Sequence, residues 1–166
     1  MVIRACRTNV SWEGLVAGLL ILSALGAASM ANDPPDFSGL WKLNSGSSDF
    51  AGETAPESKI QRVEQRGNSL DVTIDEISGG NPAHGTSHYT LDGKEGVNVV
   101  FGNPLKATVT WEGAVLVMRT WGDFGGAAIL LIDRWSLSQE GKILIIARHF
   151  EGRGRTVDQR LVFDRR

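Results

Sequence analysis

Residues 36–43 read DFSGLWKL, and the fold is decided there. A polar, proline-broken lead-in, Asn32-Asp33-Pro34-Pro35, runs straight into apolar alternation. Phe37, Gly39, Trp41 and Leu43 share one parity, while Ser38, Leu40 and Lys42 share the other. A period of two marks a strand with one face turned inward. Gly39 carries no Cβ, so it suits a bend or a close backbone crossing at the start of a barrel. Trp41 is large enough to plug one end of such a barrel.

Upstream lies MVIRACRTNVSWEGLVAGLLILSALGAASMAND. Arg4 and Arg7 give it a positive start, residues 15–25 form a short apolar core, and Ser29-Met30-Ala31 is a small-x-small site. The pattern predicts a signal peptide over 1–31, cut after Ala31, and an exported (periplasmic or secreted) single domain over 32–166. The apolar run is too short for a comfortable membrane span. Cys6 precedes the apolar core, so a lipoprotein anchor at the cleavage site is not expected. Of 17 basic and 19 acidic residues, the leader takes two and one, leaving 15 against 18, a net charge of −3. No nucleic-acid footprint follows from that balance. The one cysteine leaves with the leader, so stability must come from a packed core rather than disulfides.

The mature part shows no helical period. It reads as short alternating runs separated by turn signals, the mark of an all-β domain. Residues 44–58 form a polar loop whose one large apolar residue, Phe50, is placed to act as a lid or a pin. Runs 59–66 and 69–77 flank Gly67-Asn68, a two-residue hairpin turn. That register opposes Gln65 to Leu70, Val63 to Val72 and Gln61 to Ile74. Arg62, Glu64, Arg66, Asp71, Thr73 and Asp75 then form a solvated outer wall, which disfavours a membrane-spanning barrel. Residues 78–85 read as a flexible loop, followed by strands 86–91 and 94–101. Runs 105–111 and 114–121 flank Glu112-Gly113 and put Ala107, Val109, Trp111, Ala114, Leu116 and Met118 inward. Residues 122–126, GDFGG, read as a mobile connection. Runs 127–138 and 143–150 are apolar on both parities, which predicts cover on both faces. The cover would come from another segment or from a homodimer partner through Leu130, Ile132, Ile143 and Ile145. A last strand spans 156–164. The expected architecture is an antiparallel up-and-down barrel of about 8–10 strands.

Gly39-x-Trp41 on a first strand resembles the opening motif of the lipocalins and related calycin barrels. Most of residues 36–164 is similar to exported bacterial lipocalin-like proteins, on DFSGLWKL, Ser48–Phe50 (SDF), YTLDGKE at 89–95, TWEG at 110–113 and DRWSLS at 133–138. The resemblance implies a lipocalin-like barrel and a small-molecule binder. It also implies an arginine on the last strand packed on Trp41, for which Arg160 is the positional candidate and Arg148 the alternative. The usual lipocalin disulfide and C-terminal helix are absent.

Chemistry-bearing residues are few. His84 and His88 lie four apart on a loop entering a strand, about 13 Å apart at the usual rise. They make an incomplete zinc set, so no metal site is assigned, and no cofactor. Asp133 and Arg148 stand out. With a four-residue loop at 139–142, Leu137 opposes Leu144, Trp135 opposes Ile146, and Asp133 opposes Arg148 in line with the inward face. Such a pair is an internal salt bridge or a polar anchor for a ligand head group. The arginines at 148, 153, 155, 160, 165 and 166 read as a basic rim.

The leading expectation is a non-enzymatic barrel that binds a small apolar or amphipathic ligand, with Trp41, Trp111, Met118, Asp133, Trp135 and Arg148 in its interior. A hollow interior of a few hundred cubic ångströms favours that reading. A barrel filled by Trp41, Trp111 and Trp135 favours a structural or protein-interaction module. A barrel enzyme, a cyclase or hydrolase using Asp133, Arg148 or a histidine, ranks last, because no nucleophile–base pair is visible.

Overall fold

The computed structural model describes residues 34–138 and 140–166; the leader expected over 1–31 lies outside them. Ten strands follow one another among the described residues: β1 (Gly39–Leu43), β2 (Ser58–Arg66), β3 (Ser69–Ser78), β4 (Asn81–Thr90), β5 (Gly96–Val100), β6 (Asn103–Glu112), β7 (Val115–Asp123), β8 (Ala128–Leu137), β9 (Ile143–Gly152) and β10 (Arg155–Arg165). Each hydrogen-bonds its chain neighbour in antiparallel register, except that β1 pairs with both β2 and β10, while β4 and β5 are the sheet's two edges. The sheet therefore curls into an all-β up-and-down barrel with one seam.

A side chain holds that seam together. Asn98 on β5 accepts from the His88 backbone N–H at 2.7 Å and donates to the His88 carbonyl at 2.9 Å. Its amide stands where a neighbouring strand's peptide group would. Asn98 is buried, so both bonds are shielded from water.

One parity of each strand faces inward, and the turns fix which one. Gly67, at φ 57°, makes the β2–β3 turn, and Gln61, Val63 and Gln65 stand opposite Ile74, Val72 and Leu70 as the turn predicts. The β6–β7 hairpin turns at Gly113-Ala114 rather than Glu112-Gly113, with Trp111 opposite Leu116 and Val109 opposite Met118. The pairing slides by two residues, so the faces survive. Ala114 alone leaves the interior and is exposed at the turn.

Two expected connections are more ordered than their composition suggests. Asn81–Gly85 belongs to β4, with Pro82 opposite Ile77. A proline is tolerated there because β4 is an edge strand. The GDFGG stretch is a tight β7–β8 turn: Phe124 N–H bonds to the Ala127 carbonyl at 2.8 Å, and Asp123 accepts from Gly126 N–H at 2.8 Å. On β8 and β9 the outer apolar residues are only partly covered. Leu130, Ile132 and Ile145 are half-buried and Ile143 is 36% exposed, so no described segment covers them as a second core would require.

The two ends of the barrel differ. At one end Phe37, ahead of β1, stacks on Trp111 with centroids 6.0 Å apart and meets Trp135 edge-on at 5.9 Å. Trp41 is fully buried, and its indole N–H donates to the Phe37 carbonyl at 2.9 Å. Arg165 lies over the Trp41 ring, 4.4 Å from its centroid. The arginine on Trp41 is thus Arg165, not Arg160 or Arg148. The β1–β10 register places Trp41 directly opposite Arg165. Arg160 lies five residues back along the strand, opposite Ala147, and donates to the Ser47 carbonyl outside the barrel. Gly39 serves this arrangement. Its φ is +148°, and a Cβ there would come within 3.1 Å of the Arg165 guanidinium.

Candidate functional site

The opposite end is hollow. A cavity of about 430 Å³ extends from the aromatic plug toward the mouth. The connection after β1 runs past this end. Its 3-10 turn, Ser45–Ser47, is capped by the Asn44 side chain, and Asp49 bridges to Arg160 on β10. From there Phe50, Thr54 and Pro56 reach the cavity wall. Gln159 ties the loop down by donating to the Phe50 carbonyl at 3.2 Å. Phe50 therefore serves as part of a lid.

The middle of the cavity is polar. Arg148 on β9 grips Asp133 on β8 with two hydrogen bonds, Nε to Oδ1 at 2.8 Å and Nη2 to Oδ2 at 2.7 Å. The register puts the two residues directly opposite, with Leu137 against Leu144. Asp133 is 6% exposed at its side chain, and Arg148 keeps 23%, reached from the cavity. Burial works against the Arg148 charge, but Asp133 and then Glu76 more than offset it, and its pKa lies above the ordinary arginine value.

A second pair shares the cavity. Lys59 on β2 meets Glu76 on β3 at 2.8 Å, again directly opposite in register. Burial, and then the positive Arg148, hold the Lys59 ammonium below its ordinary pKa, against the pull of Glu76. The two pairs thus feel one another across the barrel. Tyr89 on β4 also lines the cavity, and burial raises its phenol pKa. The rest of the wall is largely apolar, with Val72, Ile74, Leu131, Ile146 and Leu161 among its members.

Of the interior residues named from sequence, Met118, Asp133, Trp135 and Arg148 line the cavity. Trp41 and Trp111 belong to the plug. Lys59, Glu76, Tyr89 and Gln61 went unnamed as site residues. The signal for the first two was present, because the Gly67-Asn68 register that opposes Gln61 to Ile74 also opposes Lys59 to Glu76 two residues further on. The histidines sit outside. His84 bonds Asp75 at 2.7 Å and His88 bonds Asp71 at 2.6 Å, each separately and exposed. His149 bonds both Asp158 at 2.7 Å and Glu151 at 3.0 Å. No cluster of three or more metal-ligating side chains occurs among the described residues.

Comparison with known proteins gives a fold likeness. No protein-family model matches the chain, and no curated protein matches it. Among solved structures it is similar to human cRBP IV, at 18% identity and a TM-score of 0.53 over 80% of this chain and all of that one. The likeness is one of fold, a nearly closed antiparallel barrel of ten strands among the described residues.

Proposed function

We propose that the protein is an exported binding barrel for a small apolar or amphipathic molecule. The observation that carries the reading is the cavity of about 430 Å³ between the aromatic plug and the Phe50 loop. That volume lies within the range of small-molecule sites, which are mostly apolar with a few polar anchors. The likeness to human cRBP IV is compatible with such a role. Export rests on the leader sequence, and a mature N-terminus at Asn32 in the secreted fraction is the expected outcome. A full-length chain in the membrane fraction would overturn it.

Native mass spectrometry of protein purified from its own host tests the binding reading. A non-covalent adduct that is released on denaturation is expected. A bare mass, together with failure of any apolar probe to enter the barrel, would sink it. A second reading draws on the outer wall, where Ile143 is 36% exposed beside half-buried Leu130, Ile132 and Ile145. In that reading the patch pairs two copies. Light scattering after size exclusion decides it, and a monomer at high concentration would remove it.

A further inference from the structure

Six charged side chains line the cavity among the described residues: Glu53, Lys59, Glu76, Asp133, Arg148 and Arg155. They divide into three acids and three bases, and each is paired with another of the set. Lys59 takes Glu76, Arg148 takes Asp133, and Arg155 takes Glu53 at the mouth. The wall is therefore electrically compensated pair by pair. A ligand carboxylate at Arg148 or Lys59 either sits as a second anion beside Asp133 or Glu76, with their repulsion, or displaces that acid. Once displaced, Asp133, with 6% of its side chain exposed, would be a stranded buried anion, which is strongly unfavourable. A ligand ammonium meets the mirror problem, stranding Arg148 or Lys59.

Spare donors remain on the wall. Arg148 gives Nε–H and one Nη2–H to Asp133, and Lys59 gives one N–H to Glu76, while both side chains line the cavity and carry further N–H groups. An uncharged acceptor can take one of these without displacing either acid.

On the reading of the barrel as a ligand-binding protein, we infer that its ligand is uncharged, an amphipathic molecule whose polar end is a hydrogen-bond acceptor such as an ester or ketone oxygen. The paired wall selects against carboxylates and amines of the same chain length. Breaking one pair should change that selection in a defined direction. Glu76→Gln frees Lys59 without changing the size of the side chain it faces, so a carboxylate gains a partner.

The test is displacement of N-phenylnaphthylamine from the full mature chain at neutral pH. The competitors are a medium-chain fatty acid anion, the alkylamine of the same length, the methyl ester and the parent alkane. The ester is expected to displace the probe at least about tenfold more tightly than either ion, and more tightly than the alkane. Glu76→Gln is expected to tighten the fatty acid anion by about tenfold and leave the ester unchanged. Because that is a gain of binding, misfolding cannot mimic it. An anion or amine that binds wild type as tightly as the ester overturns the inference, as does an anion affinity indifferent to Glu76→Gln. An ester no tighter than the alkane removes the acceptor. If neither the probe nor the alkane enters wild type, the hollow-barrel reading itself fails and the head-group inference falls with it.

Discussion

Asp133 and Arg148 offer the sharpest test of how the interior is built. Arg148→Met leaves Asp133 with no cation in contact, and that carboxylate is only 6% exposed. The loss should fall near the upper part of the range for breaking a buried pair, about 4–5 kcal/mol. Asp133→Leu leaves Arg148 unpaired, but 23% of its side chain is reached from the cavity, where water can solvate it. Glu76 also supports the arginine charge from across the barrel. The cost should be nearer about 3 kcal/mol. The double variant strands nothing and fills the same space with apolar atoms, so it should lose far less than the sum, about 1 kcal/mol or nothing. Urea denaturation with a common slope reads all four proteins. A domain of this size has roughly 5–15 kcal/mol in total, so each single variant should remain folded enough to measure. Single losses below about 1 kcal/mol that simply add would refute the reasoning. They would show side chains that face water rather than a shared interior.

Three further outcomes follow from the geometry. Trp41→Ala should cost about 3–5 kcal/mol because the ring is fully buried at the plug, and Arg165→Ala about 1–3 kcal/mol through the lost ring contact and its bonds to the Ser38 and Gly141 carbonyls; Arg160→Ala should stay within about 0.5 kcal/mol, and a loss at Arg160 equal to that at Arg165 in thermal unfolding would contradict the assignment. Asn98→Leu should cost about 1–3 kcal/mol by orphaning the His88 peptide groups at the seam, with faster hydrogen exchange at the His88 amide; unchanged exchange there would show that the seam is held by something else. His149, held above its ordinary pKa by its bonds to Glu151 and Asp158, should titrate above 6.5 by NMR; its contribution to stability is then fully present below the unfolded value and lost as pH rises through the folded one, and Glu151→Gln should lower the titration point.

Inside and outside were legible from the sequence, while partners were legible only where a turn fixed them. Parity is a robust quantity. The β6–β7 pairing differs from the expected register by two residues, yet Ala107, Val109, Leu116 and Met118 still face in, because a shift of two returns every side chain to its face. Identity across strands is not robust in the same way. Arg165 was missed because the last strand runs one residue past Asp164, and the register of β1 on β10 joins the two ends of the chain with no turn to set it. Asp133 and Arg148 were found because one short loop counts them into register. The cavity itself was illegible, since it depends on how far apart opposite walls stand and not on any local pattern.

That separation has a physical origin in how side-chain volume is distributed along the barrel. Phe37, Trp41, Trp111 and Trp135 gather at one end, and there the interior closes on itself. Toward the mouth the inward positions include Ser78, Ser87, Thr120 and Val157, which are too small to meet across a ten-stranded barrel. A void left by small residues would ordinarily be a liability, since its lining loses packing contacts. Here the longer polar side chains, Lys59, Glu76, Asp133 and Arg148, enter the gap, and each base finds its acid directly across a strand pair. Pairing lets these charges be buried without filling the space between them. What remains is a largely apolar chamber with a charge-balanced waist.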